Sequence, residues 1–187
     1  MEKKEDLRII KTKRSLYTAL LELMQEKSFE EIKVLDICNK SLTNRSTFYD
    51  HFNDKYELLD SLINEMKNKL MIKLNQNEKI KKQKDYFMRM IELFFDYVDE
   101  NINLYTPILL KNNNSIVMDM LYETCFRDVR EYLSLKSNGK EFIPIDIQAK
   151  FYVSGVINIC LEYIKNPNHY DKDSIIKYLD KLIPDGI

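Results

Sequence analysis

Apolar residues recur at intervals of three and four along most of the chain, which is the spacing of an amphipathic helix. Near the N-terminus such a stripe includes Leu16, Leu20 and Leu23, and polar stretches such as Asn112–Asn114 interrupt the pattern further along. Pro167 prevents a long apolar helix from continuing. The pattern predicts helices over about 7–25, 32–38, 44–52, 55–74, 86–101, 105–110, 116–135, 146–164 and 173–183.

Composition favours an all-α fold. The 187 residues include only 3 Gly and 4 Pro, so few tight turns or strand boundaries are available. The shares of 44% hydrophobic and 32% charged residues are ordinary for a folded protein and argue against disorder. We therefore expect an N-terminal three-helix module that contains a helix-turn-helix and a C-terminal helical bundle.

The segment from Phe29 to Leu59 has the pattern of a helix-turn-helix. Two short helices are joined by a turn at Ser41–Thr43, and Thr43 or Asn44 is expected to cap the second helix. Phe48 and Phe52 lie four residues apart on one face of that helix and are predicted to be core. The opposite side then carries Arg45, Ser46, Tyr49 and Asp50, where a DNA major groove would lie.

Charge is uneven although the formal net charge is only -1. A basic cluster precedes the helix-turn-helix, and we expect it to contact phosphates. A second cluster between two predicted helices is interpreted as a solvated loop. The first cluster is Lys3, Lys4, Arg8, Lys11, Lys13 and Arg14, and the second is Lys79, Lys81, Lys82 and Lys84.

Catalytic and metal chemistry have little support in the sequence. The two histidines, His51 and His169, are far apart, and no glycine-rich phosphate loop or catalytic arrangement occurs. The three cysteines, Cys38, Cys125 and Cys160, show no disulfide or zinc spacing. No membrane span or signal peptide is predicted. We expect a cytoplasmic protein that is not an enzyme and that uses no cofactor or metal.

The helix-turn-helix segment resembles the DNA-binding region of TetR-type regulators. The resemblance covers roughly residues 8 to 60, and the rest of the chain matches in helix order and length. The body also resembles, more weakly, regulators of the dihydroxyacetone-kinase type. The matching positions are Ile37, Cys38, Asn44, Arg45, Ser46, Thr47, Phe48, Tyr49, His51, Phe52 and Lys55.

This resemblance implies a DNA-binding domain over residues 1–55 and a regulatory and dimerisation domain over 56–187. Arg45 is the candidate to read a base edge, because a guanidinium grips guanine with two parallel bonds. Tyr49 and Lys55 correspond to positions that meet the DNA backbone. The predicted DNA-binding residues are Thr43, Asn44, Arg45, Ser46, Thr47, Tyr49, His51 and Lys55.

Two residues depart from the family pattern. Leu42 stands in the turn where glycine is common, so either the leucine is strained or the turn has a different shape. Asp50 would repel phosphate and weaken DNA binding, unless it pairs with Arg45 or Lys55 and tunes specificity.

A pairing surface is predicted on the helix from Asp146 to Ile164 together with the last helix. The apolar residues of the helix from Asp146 to Ile164 cover too much of its circumference for a helix with one side exposed to solvent. The alternative is that this helix is central to one subunit. The candidate dimer residues are Phe151, Tyr152, Gly155, Ile159 and Tyr163.

Aromatic and methionine side chains of the middle helices form a candidate site for a small apolar or aromatic effector, although such a stripe also fits a plain core. The candidate residues are Phe87, Met90, Phe94, Tyr105, Met118, Tyr122 and Phe126. The resulting hypothesis is a ligand-responsive homodimeric repressor that binds an inverted repeat in double-stranded DNA. The alternative is a co-regulator of the same fold that acts through a protein partner.

Overall fold

The computed structural model describes residues 7–75, 83–112, 115–137, 139, 142–166 and 169–183. Within these residues all regular secondary structure is helical, which confirms the predicted all-α fold. A 3-10 turn at Phe29–Glu31 separates the first two helices. The helices are α1 (Leu7–Glu26), α2 (Val34–Ser41), α3 (Arg45–Tyr49), α4 (Lys55–Asn75), α5 (Gln83–Glu100), α6 (Ile102–Asn112), α7 (Ile116–Lys136), α8 (Ile145–Lys165) and α9 (Lys172–Leu182).

Three helix boundaries in the helix-turn-helix differ from the prediction, and one of them is the end of α2 at Ser41, three residues beyond the predicted end. Ile32 follows the 3-10 turn, so α2 begins only at Val34. The third helix ends at Tyr49, three residues before the predicted end. The reason is a tightened last turn, in which the N–H of His51 donates to the carbonyl of Phe48, three residues back, at 3.0 Å.

The start of α4 agrees with the prediction. The carboxylate of Asp54 accepts hydrogen bonds from the backbone N–H groups of Tyr56 and Glu57, at 2.8 and 2.9 Å. These N–H groups have no partner within the helix, so the aspartate satisfies them and fixes where the helix begins.

The chain forms two compact units that are discontinuous in sequence. The first unit extends to Glu65 and also includes Asn103–Met118, whereas the second comprises Met66–Ile102 and Asp119–Ile187. These bounds differ from the predicted division between residues 55 and 56. The functional division at that point stays a prediction, but the helix-turn-helix packs in one unit with most of α6 and the first residues of α7.

Large apolar side chains form most of the core of the first unit. The rings of Phe48 and Phe52 are buried and lie 6.0 Å apart, which confirms that this face of α3 points inward. Buried side chains of α1 and of the 3-10 turn also belong to this core. They are Leu16, Leu20, Leu23, Met24 and Phe29.

Two apolar clusters form in the second unit. One contains Leu70, Leu74 and Leu93, and the other contains Phe87, Leu133 and Ala149. An ion pair joins the ammonium of Lys84 to Asp180 at 3.2 Å. Lys84 lies in α5, so its assignment to a loop was wrong, and Lys79, Lys81 and Lys82 lie outside the described residues.

Candidate nucleic-acid interface

The turn between α2 and α3 is a left-handed helix end. Leu42 has φ 54° and ψ 35°, and the N–H of Thr43 donates to the carbonyl of Cys38 at 3.0 Å. The N–H of Leu42 donates to the carbonyl of Asn39 at 3.3 Å, which completes a Schellman motif. The leucine therefore adopts the strained conformation, and the differently shaped turn is excluded. This conformation costs a residue with a Cβ about 1–2 kcal/mol.

A hydroxyl cluster holds the same turn against α1. The carbonyl of Ser41 accepts hydrogen bonds from the hydroxyl of Ser15 at 3.0 Å and from that of Thr43 at 3.3 Å. The Thr43 hydroxyl is thus bonded within the turn, and the predicted DNA contact of Thr43 stays a prediction. The bond from Ser15 places α1 beside the end of α2.

Helix α3 presents a polar face to solvent. Arg45 and Ser46 are exposed, and Tyr49 is 49% exposed, while Phe48 between them is buried. The guanidinium carbon of Arg45 lies 5.9 Å from the centroid of the Tyr49 ring, which is within range of a cation–π contact. The structure thus brings these three predicted DNA-binding side chains together on one exposed surface.

Other predicted residues surround this surface. Asn44 precedes α3 and is exposed, but its side chain makes no capping hydrogen bond, so the predicted cap is not formed. Thr47 and His51 are half-buried at the flank of the helix, and the imidazole ring lies 6.3 Å from the ring of Phe52.

Lys55 has a different environment from the one predicted. Its ammonium donates to the backbone carbonyls of Phe29, Glu30 and Ile32 at 2.8, 2.9 and 2.9 Å. It also lies 4.7 Å from the centroid of the Phe29 ring. Desolvation by burial lowers the pKa of this lysine. Because an ammonium has only three N–H donors, this arrangement leaves none for a DNA phosphate.

Asp50 forms no ion pair within the part of the chain that the structure describes, and it is exposed at the end of α3. The expected pairing with Arg45 or Lys55 is therefore wrong. The guanidinium of Arg45 lies beside Tyr49, and the ammonium of Lys55 is bonded to carbonyls. An exposed carboxylate beside a polyanion is unfavourable, and the weakening of DNA binding by Asp50 stays a prediction.

The predicted N-terminal basic cluster lies partly on α1. Arg8, Lys11 and Arg14 are exposed on this helix, and Lys13 is half-buried. Lys3 and Lys4 of the same predicted cluster lie outside the described residues. Clustered lysine and arginine side chains favour association with phosphates at low and moderate salt.

The predicted effector residues fall into separate groups. Met90 and Phe94 pack against the cluster of Leu70, Leu74 and Leu93. Phe87 and Phe126 belong to the other cluster, and the Tyr122 ring is stacked 6.1 Å from that of Phe126. Tyr105 and Met118 lie in the first compact unit. An effector site formed by these residues stays a prediction.

The predicted dimer residues differ in exposure. Phe151 is 71% exposed and Gly155 is also exposed, whereas Tyr152, Ile159 and Tyr163 are half-buried. The hydroxyl of Tyr163 donates to Asp99 of the same chain at 2.7 Å. Burial and this carboxylate raise the pKa of Tyr163 to about 12.

The described residues offer no group of three or more His, Cys, Asp or Glu side chains arranged to hold a metal ion. Burial raises the pKa of Cys125 to about 11 and that of Cys160 to about 12, so both thiols stay protonated near neutral pH. None of the described helices has the length and apolar character that crossing a bilayer requires.

The sequence did not predict two polar residues that link elements of the first unit. Ser15 was assigned no role, and Asn112 was read only as part of a helix break, yet its buried amide accepts a hydrogen bond from the N–H of Phe29. A buried asparagine partner 83 residues away leaves no periodic signal in the sequence. Only the tertiary contact reveals it.

Comparisons with known proteins agree with this arrangement. The family model described as bacterial regulatory proteins, tetR family, matches residues 16–62. A model of the transcriptional regulator C-terminal region matches residues 85–185, which is more than half of the chain. The HTH-type transcriptional regulator YxbF of Bacillus subtilis (strain 168) is 41% identical over 63 residues. That match spans 33% of this chain but only 17% of YxbF.

Solved structures share the fold over nearly the whole length. Lin0861 from Listeria innocua has a TM-score of 0.72 at 18% identity, covering 97% of this chain and 94% of that one. FadR from Bacillus subtilis, in complex with stearoyl-CoA, has a TM-score of 0.64 at 17% identity and covers 93% and 98%. The dihydroxyacetone kinase operon activator DhaS has a TM-score of 0.55 at 22% identity and covers 91% and 94%.

The likeness to these structures establishes the fold, and the two family models add the class of protein. Together they cover the helix-turn-helix and the helical body in the order in which the chain carries them. The chain belongs to the TetR family of bacterial transcriptional regulators.

Proposed function

We propose that this regulator binds double-stranded DNA directly and inserts α3 into the major groove. The observation that carries the proposal is the outward face of α3, where Arg45, Ser46 and Tyr49 are exposed while Phe48 anchors the helix from behind. Arg45 would grip a guanine edge, and the hydroxyls of Ser46 and Tyr49 would meet bases or phosphates. The protein would work in the cytoplasm as a regulator and not as a catalyst.

A homodimer would place two copies of α3 on one duplex. Two helix-turn-helix segments about one helical turn of DNA apart, roughly 34–36 Å, recognise an inverted repeat. Helices α8 and α9 supply the apolar surface for this pairing, because several of their large apolar side chains are exposed in the single chain. These are Ile147, Phe151, Tyr178 and Leu182.

An apolar or aromatic effector would control DNA binding by the dimer. The aromatic residues of the second unit around Phe87, Tyr122 and Phe126 supply contacts for such a molecule. The structure of FadR from Bacillus subtilis, which has the same fold, contains stearoyl-CoA, and this supports the proposal of a ligand with a large apolar part. The dimer would have two conformations that differ in the distance between its helix-turn-helix segments. The effector must bind one conformation more tightly than the other, because equal affinity for both shifts no equilibrium.

We propose that the regulator lowers transcription by obstructing a promoter. The alternative is a co-regulator that acts through a protein partner. Two observations favour this alternative: Asp50 leaves an exposed carboxylate at the end of α3, and the ammonium of Lys55 is already bonded within the chain. DNA binding that requires a second protein would support the alternative.

Selection from random duplex DNA tests the proposal. The purified chain should enrich an inverted repeat at moderate salt, and its affinity should fall as salt rises, because phosphate contacts release counterions. The Arg45→Ala variant is the matched control, since its exposed side chain can be removed without disturbing the core. A folded dimer that enriches no sequence would contradict direct binding.

A further inference from the structure

The 3-10 turn Phe29–Glu31 is held from the side of α4. It connects α1 to α2 and therefore sets where the helix-turn-helix begins. The ammonium of Lys55, the first residue of α4, is bonded to the carbonyls of Phe29, Glu30 and Ile32. The backbone acceptors of the turn are thus fixed by one side chain.

The N–H of Phe29 is held by a residue of α6. The amide oxygen Oδ1 of Asn112 accepts this N–H at 2.8 Å, and both groups are buried. The amide nitrogen Nδ2 of Asn112 donates to the carbonyl of Ile108 at 2.8 Å. This second bond orients the amide, so that the oxygen faces the turn.

A neighbouring residue makes a second link to the same connection. The ammonium of Lys111 donates to the carbonyl of Glu26, the last residue of α1, at 2.6 Å. The end of α6 therefore bonds to the chain on both sides of Lys27 and Ser28. The same compact unit contains α1, α2, α3 and this part of α6.

We propose that Asn112 is a positioning residue for DNA binding, which acts by holding the 3-10 turn and thereby the direction of α2 and α3. This inference rests on the proposed function. The residue touches no DNA in this scheme. If its acceptor is lost, the buried N–H of Phe29 is left without a partner, and the turn shifts to satisfy it.

The Asn112→Leu variant tests the proposal in the full chain. The leucine is apolar and of similar size, so it removes the acceptor without opening a large cavity. We expect its folded form to bind the duplex enriched by the wild-type chain about tenfold more weakly. Hydrogen exchange of the segment around Phe29 should accelerate, while exchange in α8 stays unchanged.

Two further variants separate positioning from stability. Asn112→Asp keeps an acceptor for Phe29 and should restore part of the affinity, and Asn112→Ser serves if the leucine variant does not fold. Val98→Ala removes buried volume in the second unit and is the control. It should lower the thermal midpoint, yet its folded form should bind DNA like the wild type.

Each outcome decides the inference. If folded Asn112→Leu binds the duplex like the wild type, or if exchange around Phe29 does not change, the positioning role is overturned. If the folded form of Val98→Ala loses as much DNA affinity as that of Asn112→Leu, the loss of stability alone explains the effect. The positioning role of Asn112 is then overturned too. A wild-type chain that binds no duplex overturns the proposed function instead. Exchange around Phe29 then decides whether Asn112 holds the turn.

Discussion

Both compact units contain ion pairs between helices, such as Lys40 of α2 with Glu22 and Glu26 of α1, but the first unit adds side-chain bonds to the backbone. In the first unit, side chains bond to backbone groups at the ends of other elements: Ser15 to the carbonyl of Ser41, Lys111 to that of Glu26, and Asn112 to the N–H of Phe29. In the second unit, ion pairs between side chains link different helices. They include Lys67 with Asp128, Lys84 with Asp180, and Lys172 with Asp96 and Asp99.

This difference has a functional consequence. A bond to a backbone group at a helix end fixes both the position and the direction of the chain there. An ion pair between two long, partly exposed side chains contributes little free energy and tolerates movement. The contacts of the first unit therefore favour a rigid helix-turn-helix, and those of the second unit favour an adaptable helical bundle.

The largest expected effect is that of Lys55→Met. The variant removes three N–H donors from carbonyls, and we expect it to lower the free energy of unfolding by roughly 1.5–3 kcal/mol. Denaturant unfolding measures this loss, with Lys181→Met as the control because Lys181 is exposed on α9. Unchanged stability, together with a shallower salt dependence of DNA affinity, would instead assign Lys55 to a phosphate.

Arg45→Ala should change selectivity more than stability. We expect it to remove about 1–3 kcal/mol of discrimination at one base pair of the half-site. Titration of operator variants that differ at single positions measures this effect. Tyr49→Phe is the comparison, since loss of its hydroxyl should weaken binding to all sequences alike. An equal loss across all operator variants for Arg45→Ala would remove its role in base reading.

Lys172→Met tests the second unit against the first. Hydrogen bonds to Asp96 and Asp99 raise the pKa of this lysine, so its contribution is present at neutral pH. The contribution is lost only as pH rises above the ordinary lysine value of about 10.4. The carboxylates are about a third exposed or more. We therefore expect a loss of at most about 1 kcal/mol in denaturant unfolding. A loss as large as that of Lys55→Met would erase the contrast between the units.

The smallest expected effect is a gain in stability from Leu42→Gly. Glycine adopts a positive φ without strain, and the leucine is 95% exposed, so little burial is lost. We expect the free energy of unfolding to rise by about 0.5–1 kcal/mol. Leu35→Gly is the matched control, because this exposed leucine lies inside α2 and its loss should destabilise the helix. A lower thermal midpoint for Leu42→Gly would show that the leucine has an unrecognised contact.

The local pattern of apolar residues was sufficient to predict the order of the helices and which face of α3 is buried. The spacing of Phe48 and Phe52 placed both rings in the core, and α4 begins at Lys55 as predicted, after Asp54. These features depend on neighbours within four residues, so the sequence contains the information directly. The division between an exposed polar face and a buried apolar face follows from the same spacing.

The partners of single polar side chains were decided only by the tertiary structure. Lys55 matched a family position for DNA contact, yet its ammonium bonds to carbonyls 23 to 26 residues earlier in the chain. Asn112 read as a helix break, yet its amide holds Phe29. The candidate effector residues shared a composition but belong to different groups. The sequence by itself determined which residues face inward along each helix, because that property repeats with the helical period. Which distant group meets a given side chain depends on how the helices pack, and no local spacing records that.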